Sequence, residues 1–191
     1  MAMPPRIASA QVQELLSPFG ELRSQSESDW SGKFPLPEAV ATFYREIGPW
    51  EVWIRSHGNP YHLPKLADLW RLQAGYRWNG LSGEASADWN DDWLVVAFEG
   101  SNPFIFSHRS GHIMHAMIGA GEWKPEVVFP DVNTMAACLG QIGTIVSSVG
   151  DVLTDADCVV RPEFYALVVS ELAVLLGTST VAENVLARLW G

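Results

Sequence analysis

The sequence predicts an α+β fold: an antiparallel or mixed β-sheet packed against helices, with an extra C-terminal helical hairpin. Three observations predict it. Trp93 to Phe98, Pro103 to His108 and His112 to Met117 are strand-like runs in close succession. Apolar residues recur at helical spacing on both sides of that block. With 191 residues, 48% hydrophobic and 18% charged, the chain has the composition of a globular domain with a sizeable core.

The elements follow in order. Ile7 to Leu16 reads as a short helix with Ala8, Val12, Leu15 and Leu16 on one side. Ser17-Pro18-Phe19-Gly20 breaks it, and polar, serine-rich Glu21 to Gly32 reads as a mobile connection with Trp30 tucked against the body. Pro37 suits the first turn of the next helix. Val40, Phe43, Tyr44 and Ile47 form its buried stripe, and Gly48-Pro49 stops it. Glu51 to Arg55 has β propensity. Leu63-Pro64-Lys65 opens a helix with Leu66, Leu69, Trp70 and Gln73 on one side, and Gly75 ends it.

Trp93-Leu94-Val95-Val96-Ala97-Phe98 is apolar on both faces, so this strand should be central and covered. Arg109-Ser110-Gly111 has the length and glycine of a three-residue hairpin loop. Asp131 to Thr134 can cap a helix that buries Met135, Cys138, Leu139 and Ile142. Gly150 to Val160 reads as a loop. Pro162 opens an apolar helix that ends at Leu176-Gly177. Thr180 and Glu183 have capping-box spacing at the start of a last helix with Val181, Val185, Leu186 and Leu189 together. The implied organisation is an N-terminal helix and linker over 1–30, a central domain over 31–149 and a C-terminal helical extension over 150–191, packed on the same domain.

The 22 acidic and 12 basic side chains give a formal charge of −10. Phosphate backbones repel such a surface, so direct nucleic-acid binding is not expected. Cationic partners are attracted to it. Two cysteines, Cys138 and Cys158, do not make a disulfide framework, which points to a reducing cytoplasm. Met1 to Arg6 carries no cationic segment followed by an apolar run. Phe164 to Gly177, with Glu171 in its middle, is shorter than the roughly 20 residues that span a bilayer. No membrane contact is expected. The C-terminal helices leave monomer and homodimer both open.

Few residues suggest chemistry. His108 and His112 flank the hairpin loop and can share a face, but His115 is an odd step from His112 and points the other way. Asp88, Asn90, Asp92 and Glu99 match calcium-loop offsets, yet Trp93 stands where that loop needs glycine. The sequence holds no Gly-x-Ser-x-Gly, His-Glu-x-x-His or phosphate loop. No catalytic residue, metal ligand or cofactor is therefore expected. An enzyme reading would have to rest on His108, His112 and Glu122. The remaining candidate is Gly80 to Asp92, which reads as a flexible acidic segment. Glu84, Asp88, Asp91 and Asp92 around Trp89 have the anatomy of a protein contact, an aromatic anchor inside a charged rim. The competing reading is a solvated loop whose Trp89 folds back on the core.

Residues 34 to 139 resemble a SUKH-superfamily domain, the fold of many bacterial toxin-immunity proteins and some eukaryotic regulators. The resemblance rests on Leu36-Pro37-Glu38, Phe43 to Gly48, Leu63-Pro64, Trp93 to Ala97, Asn102-Pro103-Phe104-Ile105-Phe106 and Gly111. The family's helix-ending Asn-Gly is Ile47-Gly48 here. The resemblance implies an α+β fold and an immunity protein that binds and neutralises a cognate toxin, frequently a nuclease; with the cysteine usage and the acidic charge, the expectation is a cytoplasmic protein whose partner is a basic nuclease domain. It supplies no catalytic residue. The alternative is a non-catalytic regulatory scaffold that binds housekeeping proteins.

Overall fold

The computed structural model describes residues 7–119 and 121–191. Helix α1 (Ser9–Leu16) leads through a 3₁₀ turn (Ser17–Phe19) to strand β1 (Glu21–Leu22). Helix α2 (Glu38–Glu46) follows, then β2 (Pro49–Trp50), β3 (Val52–Ile54), β4 (Tyr61–Leu63) and the single turn α3 (Leu66–Leu69). Strands β5 (Trp93–Glu99), β6 (Asn102–Ser107), β7 (Ile113–His115) and β8 (Glu126–Phe129) precede three helices: α4 (Val132–Val149), α5 (Pro162–Leu176) and α6 (Ser179–Trp190).

β3 to β8 form one antiparallel six-stranded meander in sequence order, and β1 pairs with β2 in a small separate ribbon. The fold is therefore α+β, as the sequence predicts, with the sheet wholly antiparallel. β5 lies inside the sheet and is covered on both faces. Leu94 and Ala97 join the core under the helices, while Val95 and Phe98 join a second aromatic core on the opposite face. A register shift between Val95 and Ala97 places Val96 as an extra residue, so it also turns toward the helices.

The main core runs from Ile7 to Leu189, so the N-terminal, central and C-terminal stretches share it. α4 lies at its centre. It is long and apolar enough by composition to cross a bilayer, which the sequence reading assigned to no segment, and here its side chains fill the core. A methyl group at Gly140 would stand 2.8 Å from the Leu15 carbonyl oxygen, and one at Gly143 would run into Ile54 and Phe19. Both glycines let α1 and the sheet approach α4 closely.

Four expectations are corrected. Glu21 to Gly32 is not a free connection: Arg23 N–H donates to Gly48 O (2.9 Å), and the buried Gln25 amide donates to Pro49 O (2.8 Å) and accepts from Leu66 N–H (2.7 Å). Gly48 makes this possible, with φ +60 and no room for a side chain against Arg23 O. Glu51 is outside the strand at φ 57, where its carboxylate accepts from Lys65 N–H and contacts His62 Nε2. The helix expected from Leu63 to Gly75 is a single α turn followed by a 3₁₀ turn (Arg71–Gln73). The last helix is capped by Thr178, whose side chain accepts from Val181 N–H (3.2 Å), not by Thr180. Gly177, left-handed at the end of α5, and Thr178 are the two residues between the helices.

Candidate interaction hairpin and aromatic cleft

The segment between α3 and β5 covers the outer face of the sheet. Gln73 anchors its start. Its side-chain amide donates to Val95 O and accepts from Val95 N–H, both at 2.9 Å, and donates to Leu69 O. In effect the amide extends the sheet beside β5, beyond the end of β4. Tyr76 then donates to Ser101 O (2.7 Å) and packs near Phe98 and Trp123.

Residues 77–86 form a small hairpin. Ser86 N–H donates to Arg77 O (2.9 Å), Asn79 N–H donates to Glu84 O (2.8 Å), and Trp78 bridges Ala85 antiparallel. The Asn79 side chain accepts from the N–H groups of Leu81 (2.8 Å) and Ser82 (3.1 Å), and Gly83 at φ +74 closes the turn. The segment expected to be flexible thus carries its own backbone ladder. Leu81 stands fully exposed at its tip.

The five residues singled out in the sequence have different places. Glu84 is exposed beside the tip, its carboxylate accepting from Ser82 Oγ (3.1 Å). Asp88 is exposed and accepts from Trp123 N–H (3.3 Å). Asp91 is exposed and pairs with Arg77 at 3.1 Å. Asp92 is half-buried and accepts from Ser107 Oγ (2.6 Å), which fastens the end of the segment to β6.

Trp89 follows the competing reading and folds back on the core. It is only 8% exposed, enclosed by Trp93 (5.4 Å between ring centroids), Trp123 (5.5 Å) and Tyr76 (6.2 Å). It holds the cover onto the sheet and cannot be the exposed anchor. Leu81 is the exposed apolar group among these acids, and sequence reasoning missed it. Its signal was an isolated leucine in the turn sequence Gly80-Leu81-Ser82-Gly83.

Beneath the hairpin lies a cleft of about 270 Å³ lined by Lys33, Phe34, Trp70, Arg77, Trp78 and Trp89. Arg77 crosses its floor, donating to Asp91 O (3.0 Å) and Trp93 O, with its guanidinium 5.1 Å from the Phe34 ring centre. Burial lowers the Arg77 pKa, and Asp91 works against that shift.

The histidines do not converge. His108 packs edge-on against Phe34 and Phe106. His115 is fully buried, with Nε2 3.1 Å from a carboxylate oxygen of buried Glu99 but without the alignment of a hydrogen bond. No group of three potential metal ligands occurs among the described residues. Cys138 is buried in the core, and burial raises its thiol pKa. No family model, curated protein or solved structure matches the chain.

Proposed function

We propose that this protein acts by binding a protein partner, and that the partner is a toxin with a basic surface, a nuclease domain being the class that fits. The observation that carries this reading is the hairpin 77–86. It holds the fully exposed Leu81 at its tip, with Glu84 beside it and Asp88 and Asp91 exposed close by in the chain. An isolated apolar tip inside an acidic rim suits a positively charged partner with an apolar recess. The formal charge of −10 adds long-range attraction for such a partner.

The resemblance of residues 34–139 to the SUKH superfamily supports the immunity role and a cytoplasmic site of action. The mechanism is steric and electrostatic. The acids bring a basic groove to the surface quickly, and desolvated apolar contact at Leu81 slows release. A nuclease so covered loses access to phosphate backbones.

The test is capture of partners by the tagged full-length protein, followed by expression of each captured protein alone. One stoichiometric partner that arrests growth, with growth restored by co-expression, supports the proposal. Several weakly held housekeeping proteins, none of them toxic, would replace it with the scaffold reading.

A further inference from the structure

Helix α5 is more apolar than a helix at a free surface needs to be. From Phe164 to Leu176 it carries one charged side chain, Glu171, which is half-buried and accepts from the Gln141 amide of α4 (3.3 Å). One side of α5 packs on α4 and α6, with Val168, Val169, Leu172, Leu175 and Leu176 buried. The opposite side is exposed. Glu163, Ala166, Leu167, Ser170 and Val174 fall there, within about 100° around the helix axis. Leu167 is 41% exposed and Val174 is 74% exposed. A helix that borders water on this side would carry polar residues here. Three turns of α5 instead present two bulky apolar groups, two small residues and a single acid at the start.

The layout of this stripe is self-complementary. Leu167 and Val174 are placed symmetrically about the Ser170–Glu171 peptide. Under a twofold axis through that point, two antiparallel copies of α5 set Leu167 of each against Val174 of the other. Small Ala166 and Ser170 let the helices approach. The same register sets Glu163 opposite Thr178 of the second copy. Thr178 is the N-cap of α6, so the acid meets the electropositive end of that helix. We infer that the exposed face of α5 is covered by a second copy of this chain, in an antiparallel twofold dimer. A 15-residue helix, about 22 Å long and about 10 Å across, offers a few hundred Å². That is less than the roughly 800 Å² per partner of a standard interface, so the dimer is reversible and forms at micromolar concentrations or above. Each copy carries a formal charge of −10, so added salt strengthens the pairing. The stripe has no acid besides Glu163 to draw a basic toxin, and the proposal stands independently of the toxin-binding reading.

The test is sedimentation velocity on the full chain, from about 1 µM to about 1 mM in about 0.15 M salt. A reversible monomer–dimer equilibrium is expected. Val174→Lys, at an exposed position, is expected to weaken the dimer about tenfold or more. Glu163→Lys is expected to weaken it about threefold, through the two symmetric contacts at the start of α6. Val127→Lys, at an exposed valine on β8, is the control and should leave the equilibrium unchanged. Melting curves establish that all three variants are folded. A monomer at every concentration overturns the proposal. So does a dimer that Val174→Lys leaves intact, or one that the control weakens as much. A dimer indifferent to Glu163→Lys overturns the antiparallel register.

Discussion

Gln73 joins a turn of helix to the middle of the sheet. Its amide satisfies both backbone groups of Val95 from a fully buried position. Gln73→Leu keeps the volume but strands a buried N–H and a buried carbonyl. It is expected to destabilise the fold by about 2–3 kcal/mol, read from chemical denaturation. His108 offers a second residue-scale prediction. Partial desolvation pushes the pKa of this largely exposed side chain below the ordinary value, Asp92 opposes the shift and Arg77 reinforces it. The unfolded chain therefore takes up the proton first as pH falls. Stability conferred by neutral His108 is present above about pH 6.5 and is lost as pH drops through the lowered folded value. The melting temperature of the wild type should fall more between about pH 7 and pH 5 than that of His108→Gln. Equal slopes would refute this.

At the scale of elements, the proposed binding divides the hairpin 77–86 into two separable contributions. Glu84→Gln with Asp88→Asn removes charge without touching the backbone ladder. Association with a basic partner should slow about tenfold at low salt, and its salt dependence should flatten. Leu81→Ser should leave association nearly unchanged and speed dissociation, because the apolar contact forms only after encounter. Stopped-flow or surface-based kinetics distinguish the two, and an unchanged association rate for the charge variant would sink the steering argument.

Elements also show what was legible in the sequence. The stripe Val40, Phe43, Tyr44 and Ile47 was readable because one helix face is buried and the rest is polar. β5 was readable because an apolar run has to be covered on both sides. β4 and β8, at three and four residues, show too few alternations to announce themselves, and β8 is closed in by Pro125 and Pro130. The hairpin stayed hidden because its turn depends on the Asn79 side chain and on Gly83, not on periodicity. Between the two readings the sequence left open for Trp89, burial wins for a tertiary reason. Three aromatic neighbours distant in sequence or poorly marked by it enclose the indole, and the leucine has none.

For the whole molecule, the antiparallel sheet is a wall between two unlike sides. Helices α1, α2, α4, α5 and α6 bury one face in a core that runs nearly the length of the chain. The other face is covered by a thin aromatic layer from Tyr76, Trp89 and Trp123, and the acidic hairpin belongs to that cover. A rigid sheet thus carries an exposed tip whose own fold is fixed by backbone hydrogen bonds, an arrangement that limits the entropy lost on binding. The measurement that tests this account most directly is growth rescue. The toxic partner that the proposed function requires is co-expressed with the wild type, with Leu81→Lys combined with Glu84→Lys, and with Trp53→Ala on edge strand β3 as a control. The account predicts rescue by the wild type and the control and loss of rescue by the charge-reversed hairpin, with all three proteins folded. Full rescue by the reversed hairpin would contradict it.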